Sequence, residues 1–279
     1  MTEVVATSND TRWVIYSRAF IGLMRRDLRV LSREIAPFLI RVAMNPLLFL
    51  FVFTYVMPHM SGASAGPAAQ MAAGGGFGTV LLPGLMAVAI MFSGIAAVAL
   101  PLAQEFGITR EIDDRVMCPL PIAAVAAEKI VFSAIQSVIA AALVFPLAYY
   151  IPSTPVQVHV GSWLFLATVV VLASLVAGAL GLTIGTSVQP KQIGLIFGVV
   201  VVPITFLGCV YYPWALLNHI RWLQYGVLVN PIVYMSEGLR SSLTPSAHMP
   251  NWLILAMLVF FLALLTWVGM KGFARRVLN

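Results

Sequence analysis

The chain has 279 residues, 61% of them hydrophobic and only 9% charged, with a mean hydropathy of +0.96. A soluble domain is roughly half apolar and about a quarter charged, so a water-soluble globule is excluded. An all-α polytopic membrane protein, one transmembrane domain over 1–279, is expected instead. The formal charge of +6 then reflects Lys and Arg gathered on cytoplasmic loops, and no nucleic acid is expected as a partner.

The first expected element is a helix over 11–33, with Ser8, Asn9 and Asp10 as candidate N-caps. At about 100° per residue, Trp13, Tyr16, Phe20, Leu23, Met24 and Leu31 share one face. Arg18, Arg25, Arg29 and Arg33 share the opposite one, and Asp27 alone breaks the pattern. A basic amphipathic helix ahead of a span reads as an interfacial helix on the anionic lipids of the cytoplasmic leaflet. An ordinary solvated helix end is the alternative.

Span one covers 35–57. Arg41 and Asn45 lie in its first third; Arg41 can snorkel to the headgroups, and Asn45-Pro46 loosens the helix. The stretch 59–78 is rich in Gly, Ala and Ser and carries no Lys, Arg, Asp or Glu, which reads as a flexible external loop. Its GGGFG run is no phosphate loop, because no Gly-Lys-Ser/Thr follows. Span two covers 80–100.

A charged stretch, 101–121, PLAQEFGITREIDDRVMCPLP, separates spans two and three and holds Glu105, Arg110, Glu111, Asp113, Asp114 and Arg115. Such charges are expensive in hydrocarbon, so the stretch is expected in water, as a cytoplasmic docking helix. Span three covers 122–150; its first turns, with Glu128 and Lys129, are expected to project into the cytoplasm, and Gln136 follows deeper in. Span four covers 161–188, where Gly178, Gly181 and Gly185 recur about once per turn, a spacing suited to close helix packing. A tight turn at 189–192 leads to span five, 193–210. An external segment, 211–250, precedes span six, 251–270, which Lys271, Arg275 and Arg276 close.

Charge sets the orientation. Of the 16 Lys and Arg, only Arg221 and Arg240 fall outside; the positive-inside rule therefore puts both termini in the cytoplasm of a multi-pass inner-membrane protein. Tyr55, Tyr149, Tyr150, Trp163, Tyr211, Tyr212, Trp214 and Trp252 mark the outer ends of the spans, as an interfacial belt should. Cys118 and Cys209 lie at opposite ends of this topology, so no internal disulfide is expected. The start of the chain is not read as a signal peptide.

The chemistry in the chain is sparse. Asp113-Asp114 is the single acidic doublet, whereas a transferase holding a lipid-linked diphosphate through magnesium would need more carboxylates. Such an integral-membrane transferase, acting on a lipid-linked substrate, is the alternative function, and a non-transporting scaffold is a third. His59, His159, His219 and His248 are scattered through external segments, so no metal site and no catalytic residue is assigned. The spans lack the ionisable chains of ion-coupled carriers. Energy then comes from elsewhere, and since no Walker motif is present, nucleotide hydrolysis belongs to a separate polypeptide.

The outer segment offers one further constellation. Asn230 can cap a short helix that starts at Pro231, made apolar enough by Ile232, Val233, Met235 and Leu239 to dip into the outer leaflet. Glu237 and Arg240, three apart, can pair on one face. They are expected to brace an external gate; a surface pair worth under about 1 kcal/mol is the alternative. Candidates for translocation or gating are thus Arg41, Asn45, Gln136, Asn230, Glu237 and Arg240.

The order of elements resembles the permease subunits of ABC-2-type ABC transporters. The local matches are LLPGLMAVAIMFSG (81–94), EFGITREIDDRVMCPLP (105–121), FLGCVYYPWALL (206–217) and NPIVYMSEGLR (230–240), in order and at the expected places. The resemblance implies the permease half of an ATP-driven exporter of drugs, polysaccharides or lipid-linked oligosaccharides. Two copies, or one copy and a close paralogue, would form the pathway. Two ATPase subunits, carrying ATP and Mg, would bind beneath. The loop after span two, with Glu105, Arg110, Glu111, Asp113, Asp114 and Arg115, would be the coupling helix, and 211–250 would form re-entrant helices on the outer side. The apolar spans favour an amphiphilic or lipophilic cargo.

Overall fold

The structure, a computed structural model, describes residues 9–56, 77–109, 120–150, 159–245 and 248–278, and among them the regular structure is all helical. Helix α1 (Asn9–Arg33) takes two of the three candidate caps, Asn9 and Asp10, into its first turn, and the third, Ser8, lies outside the described residues. Helix α2 (Ile35–Leu50) runs through Pro46 and continues as a π-helical turn, Phe51–Val56. Helix α3 (Phe77–Gln104) likewise ends in a π-helical turn, Glu105–Thr109. Then come α4 (Ile122–Tyr150) and α5 (Trp163–Ser187). A 3-10 turn, Pro190–Gln192, occupies the expected tight turn and leads into α6 (Ile193–Phe206), which contains a π-helical turn. A 3-10 turn, Trp214–His219, α7 (Arg221–Gly226), and α8 (Pro231–Leu243) build the segment before α9 (Asn251–Leu278). The coupling-loop charges Arg110, Glu111, Asp113, Asp114 and Arg115, together with Cys118, lie outside the described residues. So does all but the end of the expected external loop 59–78.

Four helices, α3, α4, α5 and α9, are long and apolar enough to cross a membrane, and α2 and α6 are shorter apolar helices. Their packing follows from where each is apolar. Helix α3 is hydrophobic on every side, and 72% of its apolar window is buried within the chain, against 22% for α9. It is the centre of the bundle, touching α2, α4, α5 and α8. Helix α9 turns Val259, Phe260, Leu264 and Trp267 outward, a face suited to lipid. Helix α5 sits between α3, α4 and α9 because its glycines permit close approach. A Cβ on Gly178 would fall 2.1 Å from Ser133 Oγ, and one on Gly181 would fall 3.0 Å from Ile95 Cα. The glycine spacing is therefore a packing seam, as expected.

At one end of the bundle a second apolar cluster joins Leu102, Val125, Ile130, Leu182 and Phe273. Helix α1 packs there through Tyr16, Phe20 and Leu23, while Arg18, Arg25, Arg29 and Arg33 remain exposed. The amphipathic faces read from the sequence are thus real. Part of the apolar face meets protein, however, and Val14, Ile21 and Leu28 form an exposed apolar stripe beside the arginines.

Candidate functional site

Polar groups gather at both ends of the bundle and in one cavity between them. At the end opposite α1, helix α8 starts as its sequence dictates. Asn230 Oδ1 accepts from the Ile232 amide at 3.1 Å, and Pro231 occupies the first turn. Asn230 Nδ2 also donates to the Ile204 carbonyl at 2.6 Å, so the cap ties α8 to α6.

Within α8, Arg240 donates through Nη1 to Glu237 Oε1, and both side chains are 0% exposed. The surface-pair alternative is thereby overturned: α8 is covered by α3, α5 and α9. The carboxylate is shared among several segments. Trp214 N donates to Glu237 Oε1 at 3.0 Å, and Met249 N donates to Oε2 at 3.2 Å. Arg240 Nη2 donates to the Cys209 carbonyl at 3.1 Å. Cys209 has a φ of 52°, a left-handed conformation that non-glycine residues seldom adopt. Its turn is fixed on two further sides. Ser236 Oγ donates to Gly208 O at 2.8 Å, and α3 backs on so closely that a Cβ on Gly84 would lie 1.8 Å from Val210 O. A buried ion pair survives only when its remaining lone pairs and protons are satisfied, and here backbone groups of three separate segments do most of that.

At the α1 end, Lys129 Nζ donates to Glu105 Oε1 at 2.8 Å, with both side chains 6% exposed. This corrects two expectations. Glu105 is not a water-exposed docking charge, and Glu128 and Lys129 do not project into solvent; both are buried. The end of α3 and the start of α4 meet inside the second apolar cluster, so charges at these ends face each other across a helix seam. Arg276 of α9 completes this end. Its Nη1 donates to the Gly185 and Val188 carbonyls at 2.9 and 2.8 Å, satisfying the orphan carbonyls at the end of α5. The guanidinium also lies 4.9 Å from the Phe106 ring centre, within cation–π range.

Between the two ends, a cavity of 210 Å³ opens among α2, α3 and α6, lined by Arg41, Pro46, Phe92, Ser93 and Phe197 among others. Arg41 is exposed, and Asn45, next to it on α2, has its side chain outside the described residues. Gln136 is buried on α4 and does not line the cavity. The structure thus puts Asn230 at the start of the helix in which Glu237 and Arg240 pair, and leaves Arg41 in another setting. Sequence reasoning missed the Trp214 and Met249 amides, which carry no side-chain signature. It missed Ser93 too, one hydroxyl in an apolar helix. The Glu105–Lys129 pair did have a signal, opposite charges at the adjoining ends of consecutive spans.

A family model for ABC-2 type transporters matches residues 18–244, a range that contains both ion pairs and the cavity. An inner membrane transport permease, YadH, of Escherichia coli K12 is 24% identical over 253 residues, covering 90% of this chain and 91% of the relative. The permeases of the same name from Escherichia coli O157:H7 and Shigella flexneri match to the same extent.

Proposed function

Because the chain belongs to the ABC-2 type transporter family, we propose that it is the permease subunit of an ATP-driven exporter, with ATP and Mg bound on a separate ATPase chain. That it is a multi-pass inner-membrane transport permease rather than an enzyme rests on the family, the relatives and the four apolar helices. In the proposed assembly α2 and α6 join the four long helices to make six spans, with both termini cytoplasmic. Residues 35–56 of α2 and its π turn reach about 33 Å at 1.5 Å per residue, enough for a bilayer core. A second copy, or a close paralogue, completes the pathway, and two ATPase subunits bind on the α1 side. The cargo is amphiphilic or lipophilic.

The observation that carries this reading is the Glu105–Lys129 pair. It clamps α3 to α4 on either side of the charged loop 110–119, so a push on that loop is delivered to both helices together. Arg110, Glu111, Asp113, Asp114 and Arg115 then dock the loop on the ATPase through charges of both signs, which fix register. At the far end the Glu237–Arg240 cluster holds the segment that gates the outer side.

The test is co-expression with candidate ATPases and purification through a tag on the permease. An ATPase should co-purify and drive cargo uptake into inverted vesicles, and reversing Glu111 and Asp114 to Lys should abolish both while leaving the permease folded. Failure of the unaltered permease to bind any ATPase would overturn the reading.

A further inference from the structure

We propose that the cavity between α2, α3 and α6 binds the anionic head and upper chain of a single-chain amphiphile, and that such anionic amphiphiles are the cargo class; the cargo assignment rests on the permease reading above.

Three observations converge on it. The first is Arg41. A cation within a spanning helix faces a bundle interior or a cavity and marks a functional position unless it snorkels free. Arg41 lines the cavity, and among the described residues it has no carboxylate partner. Lys129, Arg240 and Arg276, by contrast, each meet a carboxylate or backbone carbonyls.

The second is Ser93, 6% exposed, whose hydroxyl has no hydrogen-bond partner. Hydroxyls in helices ordinarily back-bond to a carbonyl three or four residues earlier. Ser133, Thr186, Thr205 and Ser242 do so. Ser93 and Ser174 do not; Ser93 belongs to the cavity wall, its oxygen covered from solvent, and its unspent hydrogen bond is assigned to an oxygen of the occupant.

The third is shape. The other walls include Val42, Pro46, Phe92 and Phe197, all apolar, and the volume is 210 Å³. Drug-sized ligands take about 300–1,000 Å³, and 210 Å³ is roughly seven waters' share of liquid volume. A chain segment fits; a drug-sized multi-ring system or an oligosaccharide does not. Arg41 comes before Val42 and Pro46 along α2, so the cation stands at one end of an apolar wall. That polarity matches an anionic head with a hydrocarbon tail, and a guanidinium holds a carboxylate or phosphate through paired hydrogen bonds.

The experiment is photolabelling of the purified permease in phosphatidylcholine nanodiscs. The probes are a diazirine palmitic acid, its methyl ester and the matching alkyl-trimethylammonium. The acid should label peptides covering 42–46 and 88–100, at least about tenfold above the other two probes. Arg41→Gln should lower labelling by about tenfold and Ser93→Ala by about fivefold, the sizes expected for one charge-assisted and one ordinary hydrogen bond. Arg41→Lys should retain more than Arg41→Gln. Unchanged elution volume and melting temperature show that these variants fold. Equal labelling by acid and ester, or full labelling of Arg41→Gln, overturns the site and leaves Arg41 a headgroup snorkel. Displacement of the acid by an equal mole fraction of phosphatidylglycerol makes the cavity a niche for bilayer lipid and overturns the cargo assignment. Labelling as expected in a permease that binds no ATPase would leave the site standing while removing the exporter reading and the cargo assignment with it.

Discussion

The Glu237–Arg240 and Glu105–Lys129 pairs stand at opposite ends of the bundle and are built differently. Glu237 and Arg240 lie on one helix, and their outward bonds go to backbone groups at Trp214, Met249 and Cys209. Glu105 and Lys129 lie on different helices, 24 residues apart, and meet side chain to side chain. The first arrangement is directional. Two amides require an acceptor where Glu237 is, and a carbonyl requires a donor where Arg240 is. The second is reversible in principle, since either helix could carry either charge. A pair wired to backbone fixes one shape, whereas a pair between side chains can part and re-form when its helices shift. The segment around α8 is thus tied to backbone groups of three segments, whereas the pair at the other end joins two helices through their side chains.

The sharpest way to break this comparison is to remove one partner from each pair. Removing one member of a fully buried pair costs about 3–5 kcal/mol, so Glu237→Ala should give the largest loss of melting temperature and of monodisperse protein on size exclusion. Adding Arg240→Ala should do little further harm, because the stranded charge goes too. Lys129→Met should cost less, about 2 kcal/mol, because Glu105 lies at the end of its helix with its side chain 6% exposed, against 0% for Glu237.

Charge exchange sharpens the contrast. Glu105→Lys with Lys129→Glu should recover more than half of the stability lost in either single reversal, read as a double-mutant cycle. Glu237→Arg with Arg240→Glu should recover nothing, since the Trp214 and Met249 amides would then face a donor. Equal recovery at both ends would show that the backbone bonds around Glu237 do not matter.

The helix seams beneath the two pairs should differ in the same sense. A Cβ on Gly84 meets the Val210 carbonyl at 1.8 Å, which only a backbone shift can relieve, whereas one on Gly185 meets Ala99 and Leu102 at 3.1 Å. Gly84→Ala should cost about 2 kcal/mol and Gly185→Ala under about 1 kcal/mol, measured by thermal unfolding in detergent. The smallest stability effect is expected in the loop. Glu111→Lys with Asp114→Lys should shift stability by under about 0.5 kcal/mol yet uncouple ATP hydrolysis from transport. Vesicles that hydrolyse ATP and transport cargo normally with this double reversal would show that the loop is merely solvated.

Much of this molecule is legible before folding. The apolar runs locate α3, α4, α5 and α2 with its π-helical turn within a few residues of their observed bounds, and the start of α9 as well, though that helix runs on past the last apolar residues to Leu278. Lys271 packs over the Trp267 ring there at 3.7 Å, and the charges that seemed to close the helix instead belong to its final turns. The cap at Asn230, the first-turn Pro231 and the glycine seam of α5 were readable because each is a local rule, set by one residue and its immediate neighbours. Glu237 and Arg240 were correctly paired for the same reason, being one turn apart.

What the sequence by itself determined is therefore the class of protein, the extents of its long helices and the local chemistry of their ends. Tertiary structure alone decided that Glu237 and Arg240 are buried, that Glu105 and Lys129 join two helices, and that Ser93 and Arg41 lie in the wall of one cavity. Periodicity tells which side of a helix is apolar, but in a chain this hydrophobic lipid and protein satisfy that side equally well. Only the packing of one helix on another settles which it is, and the amides and carbonyls that hold a buried charge carry no mark in the sequence.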